Sequence, residues 1–318
     1  MTKFVGRRGT LGVAFEVTRG TPVTPVMWIP WAQLSFSDKI ESAAEDQGFG
    51  NIADQDSFYV TLTKGEGDVD AQLYDQAIPY ILGSLLGAVP VTTGSNPYTH
   101  TFTLSQTNQA KTLSLYWTDP DRNYMFPMAV VDSLQISVQP LGIVEYTIGF
   151  KSKSARNWGT VTPVFTTLGA KFLHQHTVFK LAANVAALTA SSAISLKEAN
   201  LTISRDVIHD AVMGTVEPED VLSQTISVEG DVTLNLQDDT YRNYMLAGTY
   251  RAMEFGFSAS ASSSLDFRFP RVSFSEWEPD YTLNEIAKQK INFKANYDSA
   301  NALDIISTAI VINTKTSY

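Results

Sequence analysis

Cysteine is absent from all 318 residues. That excludes a disulfide framework and any thiolate zinc site, and it leaves the redox compartment open, since a chain without thiols suits either setting. Histidine is scarce: His100, His174, His176 and His209 are the four in the chain. His174 and His176 are two apart, which on a strand puts both rings on one face, but no third ligand accompanies them and no metal is expected. Charged residues make up only 18% of the chain, below the usual quarter. Much of the surface is therefore expected to be Ser, Thr, Asn and Gln, as in β-rich structural proteins. Basic residues are the minority, 23 against 33 acidic, for a net charge of −10. This argues against general affinity for nucleic acid, which needs clustered Lys and Arg, and favours a surface that repels DNA.

Long apolar runs are missing as well. The longest, Ile78 to Val91, is broken by Pro79 and Pro90 and is too short to span a bilayer. Arg7 and Arg8 are followed by Gly9, Thr10 and an early Glu16, which is not the apolar core of an export signal. A soluble protein made in a cytoplasm is expected. No H-E-x-x-H, phosphate-cradling glycine loop, dinucleotide fingerprint or G-x-S-x-G elbow occurs. Carboxylates are plentiful, but nothing in their spacing selects a catalytic pair. Asn200-Leu201-Thr202 fits a glycosylation acceptor, yet it lies in a strand-like stretch of a chain with no export signal. No cofactor and no catalytic residue is expected.

What the chain does have is a stretch that occurs twice. Glu66-Gly67-Asp68-Val69-Asp70-Ala71-Gln72-Leu73 is echoed by Glu229-Gly230-Asp231-Val232-Thr233-Leu234-Asn235-Leu236, 163 positions later. Each copy reads as a strand running into a helix. After the first, Asp75 is a candidate cap, Pro79 sits where a missing N–H costs least, and Ile78, Ile81, Leu82, Leu85 and Leu86 make one helical face. After the second, Asp238 or Asp239 is a candidate cap, and Tyr241, Tyr244 and Met245 repeat that face. Upstream, Leu34–Ser37 corresponds to Leu201–Ser204 at an offset of 167, both alternating as half-buried strands. Downstream, Pro127 to Phe150 corresponds to Pro270 to Phe293 at an offset of 143. The drift implies a loop 4 residues longer and a later insertion of 20 in the first half. A repeat on this scale governs the reading of the whole fold: two related mainly β domains, 1–155 with an N-terminal arm and 177–318, joined by a connector at 156–176.

The arm carries one short strand, Gly12–Val17, and Met27–Ser37 is the first strong strand. Asp38–Asp56 then reads as a long loop with Asp38, Glu41, Glu45, Asp46, Asp54 and Asp56 against Lys39, net −5. Its counterpart, Arg205–Leu222, holds Asp206, Asp210, Glu217, Glu219 and Asp220 against Arg205, net −4. Long loops in compact domains are usually functional or disordered, and here two matched ones carry nearly all the excess charge. Tyr98–Leu104 and Lys111–Trp117 read as a hairpin across Ser105–Ala110, the excess of the first half.

In its Gly-rich, Glu16-containing arm running into Trp31, its polar loop after the first strand, its twice-repeated strand and helix, and its closing Lys290–Tyr297 pattern with a final strand to Ile312, the sequence resembles the major tail tube proteins of long-tailed bacteriophages. The resemblance implies tandem tail-tube-like β-sandwich or barrel domains, each with one flanking helix. It implies self-assembly into rings stacked as a helical tube in the virion, with double-stranded DNA passing through the lumen without specific binding and other tail proteins at the tube ends. A duplicated chain would make a pseudo-sixfold ring from three copies, since a heterologous interface that closes gives a cyclic ring. The acidic residues named above are the candidates for reaching a neighbouring ring or bordering the lumen. Two other readings stand beside this one: a phage decoration or tail-completion protein, and a tandem β-sandwich carbohydrate-binding module or carbohydrate-active enzyme with Trp28, Trp31, Trp117, Trp158 and Trp277 lining a sugar groove.

Overall fold

The computed structural model describes residues 3–47, 50, 52, 57–165 and 168–318. The chain is mainly β. Its first half contains β1 (Thr10–Phe15), β2 (Met27–Ile29), β3 (Trp31–Leu34), β4 (Ser37–Ala44), β5 (Phe58–Gln72), α1 (Ile78–Leu86), β6 (Val91–Gly94), β7 (Tyr98–Phe102), β8 (Leu113–Thr118), β9 (Asn123–Val138) and β10 (Glu145–Lys153). After the short β11 (Arg156–Asn157) come β12 (Thr177–Ala182), α2 (Val185–Leu188), β13 (Glu198–Asp210), β14 (Asp220–Asn235), α3 (Thr240–Leu246), β15 (Arg251–Ser260), β16 (Ser263–Asp280), β17 (Lys288–Asn296) and β18 (Thr308–Asn313).

One antiparallel sheet runs through both halves. Its pairings give the order β3/β4, β5, β10, β9, β13, β14, β17, β16. The seam is β9 against β13, with Leu134 opposite Ile203, Gln135 opposite Thr202 and Ile136 opposite Leu201. Alternation along each strand sends one set of side chains into the core: Val69, Ile148, Leu134, Ile203, Val232 and Ile291 are all buried there.

β9 and β16 are long because each serves two layers. The first part of β9 pairs with β8, which pairs with β1; the first part of β16 pairs with β15, which pairs with β12. Each strand changes layer at a proline, Pro127 or Pro270, where the pairing register slips. A residue without an N–H is tolerated in a strand at such a bulge, and the bulge bends it. The stretches 265–269 and 272–277, legible in sequence as two strands, are therefore one.

The two copies of the repeated stretch occupy matched registers. Gly67 stands opposite Phe150 and Gly230 opposite Phe293; Val69 opposite Ile148 and Val232 opposite Ile291. Between β10 and β9 the ladder skips Asp132, and between β17 and β16 it skips Ser275, the same place at the offset of 143. Upstream, the offset expected from sequence needs correction. Ser37 stands opposite Glu66 and Thr202 opposite Glu229, an offset of 165 rather than 167. A slip of two preserves the face, which is why alternation alone did not detect it.

Three further expectations fail. Asp38–Asp56 and Arg205–Leu222 are not loops throughout: β4 with β5, and β13 with β14, extend as hairpin arms to Ala44 opposite Phe58 and to Asp210 opposite Asp220. β7 and β8 do not form a hairpin. β7 pairs with β6 and β18, and β8 with β1 and β9, so the extra element of the first half is β6–β7, and it anchors the C-terminal strand. Asp75 does not cap α1, whose N-cap is Ala77. Asp75 is instead buried, accepting from the Ala170 N–H and the Ser263 hydroxyl, and burial pushes its carboxyl upward.

The helices differ although both follow the repeat. All nine residues of α1 are buried, covered by Phe15 and by Tyr318 of the C-terminal tail, both against Tyr80. Burying Ile78, Ile81, Leu82, Leu85 and Leu86 contributes roughly 1.5–3 kcal/mol each. No residue of α3 is fully buried. The arm is held by Glu16, whose carboxylate accepts from the Gly20 and Met128 N–H groups and the Thr112 and Ser114 hydroxyls.

Candidate functional site

The face of the long sheet opposite the core is polar. It presents Asp68 and Asp70 on β5, Glu145 on β10, Gln135 and Ser137 on β9, Asn200 and Thr202 on β13, Glu229 and Asp231 on β14, and Glu276 and Glu278 on β16, against Lys290 and Lys294 on β17 and Lys39 on β4. Cross-strand pairs organise the charges: Lys294–Glu229 at 2.5 Å, Lys290–Asp231 at 3.7 Å, and the Thr147 hydroxyl donating to Asp70 at 2.6 Å. Exposed pairs of this kind hold side chains in place more than they stabilise the fold. Arg271, opposite Asn296 near the bend of β16, is the arginine whose register falls on this face among these strands. Lys64, Lys151, Lys153 and Lys288 share this register, so carboxylates and amides are interspersed with lysines across the face.

Two hairpins rise from the sheet, and they differ in what they touch. Every residue of β4 is exposed, and Phe58, Tyr59 and Val60 at the start of β5 are exposed too. Glu41 pairs with Lys64 at 2.7 Å, which holds its carboxyl below the usual range. Glu45 accepts from the Ser57 and Tyr59 hydroxyls, Asp38 accepts from the Ala155 N–H, and Asp46 is exposed. Asp54 and Asp56 lie outside the described residues.

The β13/β14 hairpin is instead clamped onto the first half. Val207 and Val221 bury against Ala110, Met128 and Val130. Asp220 pairs with Arg19 at 2.7 Å and accepts from Gln109. Glu217 accepts from Ser154 and pairs with Arg156. Arg205, only 3% exposed, donates to the Leu85 and Thr107 carbonyls. His209 faces the Ser152 carbonyl, and burial, with Lys64 adding to it, holds its pKa below the ordinary value. Asp206 and Glu219 are exposed, and the Asp210 carbonyl accepts from the Glu219 N–H. The two acidic segments, matched in sequence, are thus brought to different environments. The partners of the second, Arg19, Arg205 and the 105–111 segment, carry no signal in sequence that would have singled them out.

No group of three or more His, Asp or Glu residues is arranged to hold a metal among the described residues. His174 and His176 share a 3-10 turn rather than a strand, and the His176 Nδ1 accepts from the Leu173 N–H. The tryptophans are packing groups. Trp28 and Trp158 belong to a cluster with Tyr116, Trp31 stacks edge-on to Trp117, and Trp277 donates to Gln289. No helix among the described residues is long and apolar enough to cross a membrane.

The architecture is thus two layers of β-structure with one extended polar sheet face. The family model of phage tail tube proteins matches residues 6–298, and the chain belongs to that family. This makes it a structural component of a phage tail tube, which places it in the virion tail and implies self-assembly beside other tail proteins. The family is structural and not one of enzymes. No curated protein matches the chain.

Proposed function

We propose that copies of this chain polymerise into stacked rings that form the tail tube of a long-tailed phage, the conduit for DNA during ejection into the host. Each chain supplies two tail-tube-like domains, 1–155 and 177–318, linked through 156–176, and three chains close a pseudo-sixfold ring. The observation that carries this reading is the seam between β9 and β13. There one half extends the sheet of the other edge to edge, and the outer edges of β4 and of the last part of β16 are left without a partner strand among the described residues. Open edges are aggregation sites unless they are used, and repeating the same step around an axis uses them and closes a ring.

In such a ring the polar sheet face lines the lumen. Its carboxylates, with lysines of the face already paired to them, let a duplex slide without sticking. The exposed β4/β5 hairpin, with Glu41, Glu45 and Asp46, is available for contacts between copies. The protein is made in the host cytoplasm before assembly. Negative-stain electron microscopy of the purified protein, with its mass in solution, tests the reading. Hollow tubes or three-chain rings are expected. Six-chain rings would keep the tube and remove the pseudo-sixfold argument, and a monomer at every concentration would remove ring assembly by the chain alone.

A further inference from the structure

The clamp on the first half has an empty counterpart on the second. The hairpin clamp centres on Met128, which follows Pro127 at the bend of β9, and on Ala110, just before β8. Leu113 stands opposite Ala129 and Arg251 opposite Val272, so the positions matching Met128 and Ala110 are Arg271 and Gly248. Where the first half is filled by Val207 and Val221, the second half has an open cleft of about 810 Å³ lined by Asn184, Tyr250, Arg251, Pro270, Arg271 and Leu303. The Arg251 Nε is buried there without a hydrogen-bond partner among the described residues, and the Arg271 guanidinium lies 3.8 Å from the Tyr250 ring centre.

The first half has the matching occupant, unused. At the offset of the repeated stretch, Phe58 corresponds to Val221; it is 60% exposed where Val221 is fully buried. Tyr59 and Val60 beside it are exposed as well. The hairpin carries Glu41, Glu45 and Asp46, and the cleft carries Arg251 and Arg271 beside one carboxylate, Asp298, so the cleft's excess charge is opposite to the hairpin's. The hairpin does not fill the cleft of its own chain, because β4 sits at the opposite edge of the sheet from β16.

We propose that the β4/β5 hairpin of one copy seats in the cleft of a second copy, with Phe58 against Tyr250 and Pro270 and the hairpin carboxylates facing Arg251 and Arg271. The same placement lays the outer edge of β4 along the outer edge of β16. Its register follows from the internal seam: Thr202 opposite Gln135 becomes Ser37 opposite Glu278, and Ser204 opposite Ser133 becomes Lys39 opposite Glu276. Lys39 then meets an acidic edge of Glu276, Glu278 and Asp280. The inference rests on assembly between copies and adds which surfaces meet.

The absence of cysteine makes the test clean. Ser37→Cys with Glu278→Cys should form disulfides between chains on mild oxidation of assembled protein, giving a denaturing-gel ladder. Gln135→Cys with Thr202→Cys occupies the same register inside one chain; it should lose its thiols without a ladder and so reports that the oxidation works. Phe58→Asp, at an exposed position, should keep the native circular dichroism and raise the concentration for half-assembly at least ~10-fold, as loss of a buried aromatic anchor does. If microscopy shows rings or tubes while the Ser37/Glu278 thiols stay free and the control pair closes, this contact is wrong and ring assembly stands. If no assembled particle forms at any concentration, both fall.

Discussion

Phe293 lies across the ladder from Gly230, its ring standing where a β-carbon on that glycine would be, 2.6 Å from the ring's Cζ. Gly230 is thus a packing residue, pressed between the Phe293 ring on one side and the Asn200 carbonyl of β13, which lies closer still, on the other. Gly230→Ala should overpack this contact and destabilise the chain by about 1–3 kcal/mol, read as a lower urea midpoint with an unchanged slope.

Arg205 joins the halves from a buried position, donating to the Leu85 carbonyl at 2.7 Å and the Thr107 carbonyl at 2.9 Å. Arg205→Met fills much of the volume but leaves both carbonyls without their donor. A cost of about 2–4 kcal/mol is expected, with faster hydrogen exchange concentrated in 205–222. Uniform exchange across the chain would show that the clamp opens only with global unfolding.

Glu16 is 1% exposed and collects donors from the arm, from β8 and the residue before it, and from β9. Glu16→Gln turns one acceptor oxygen into a donor aimed at other donors. A loss of about 2–4 kcal/mol is expected, along with cleavage by trypsin at Arg19 at concentrations that spare the native chain.

Asp266 gives the fold a dependence on pH. Burial, with Glu254 nearby adding to it, pushes its carboxyl up to about 6. The folded state then holds this proton in the window between the unfolded value near 4 and about 6. The contribution to stability is fully present below about pH 4 and is lost as pH rises through 6, up to about 3 kcal/mol in all. Asp266→Asn should remove that loss. Urea midpoints of both proteins at pH 5 and pH 7.5 give the double difference, and equal pH dependence in the two would exclude the assignment.

The repeated stretch and the strand-to-helix step were legible because they are local. Alternation marks a strand face, an i, i+3, i+4 pattern marks a helix face, and a glycine or proline marks where the backbone departs. The boundaries of the acidic segments were not legible. Polar residues on both faces of a hairpin erase the alternation that identifies a strand, so β4 and the ends of β13 and β14 read as loop. The false hairpin at 98–117 had the right strands and the wrong partners, because β7 is completed by β18, some 200 residues away in sequence.

The sequence by itself determined that this is a mainly β chain without cysteine, acidic, and with a strand-to-helix stretch that recurs; those properties follow from composition and short-range period. Only the tertiary structure decided that one acidic hairpin is clamped on its own chain while the other leaves Phe58, Tyr59 and Val60 exposed, and that α1 is sealed while α3 is not. The reason is physical. Two segments of like sequence meet different neighbours, since the first half receives the second half's hairpin, the arm and the C-terminal tail, while the described part of the β4/β5 hairpin does not seat on the second half in the same way.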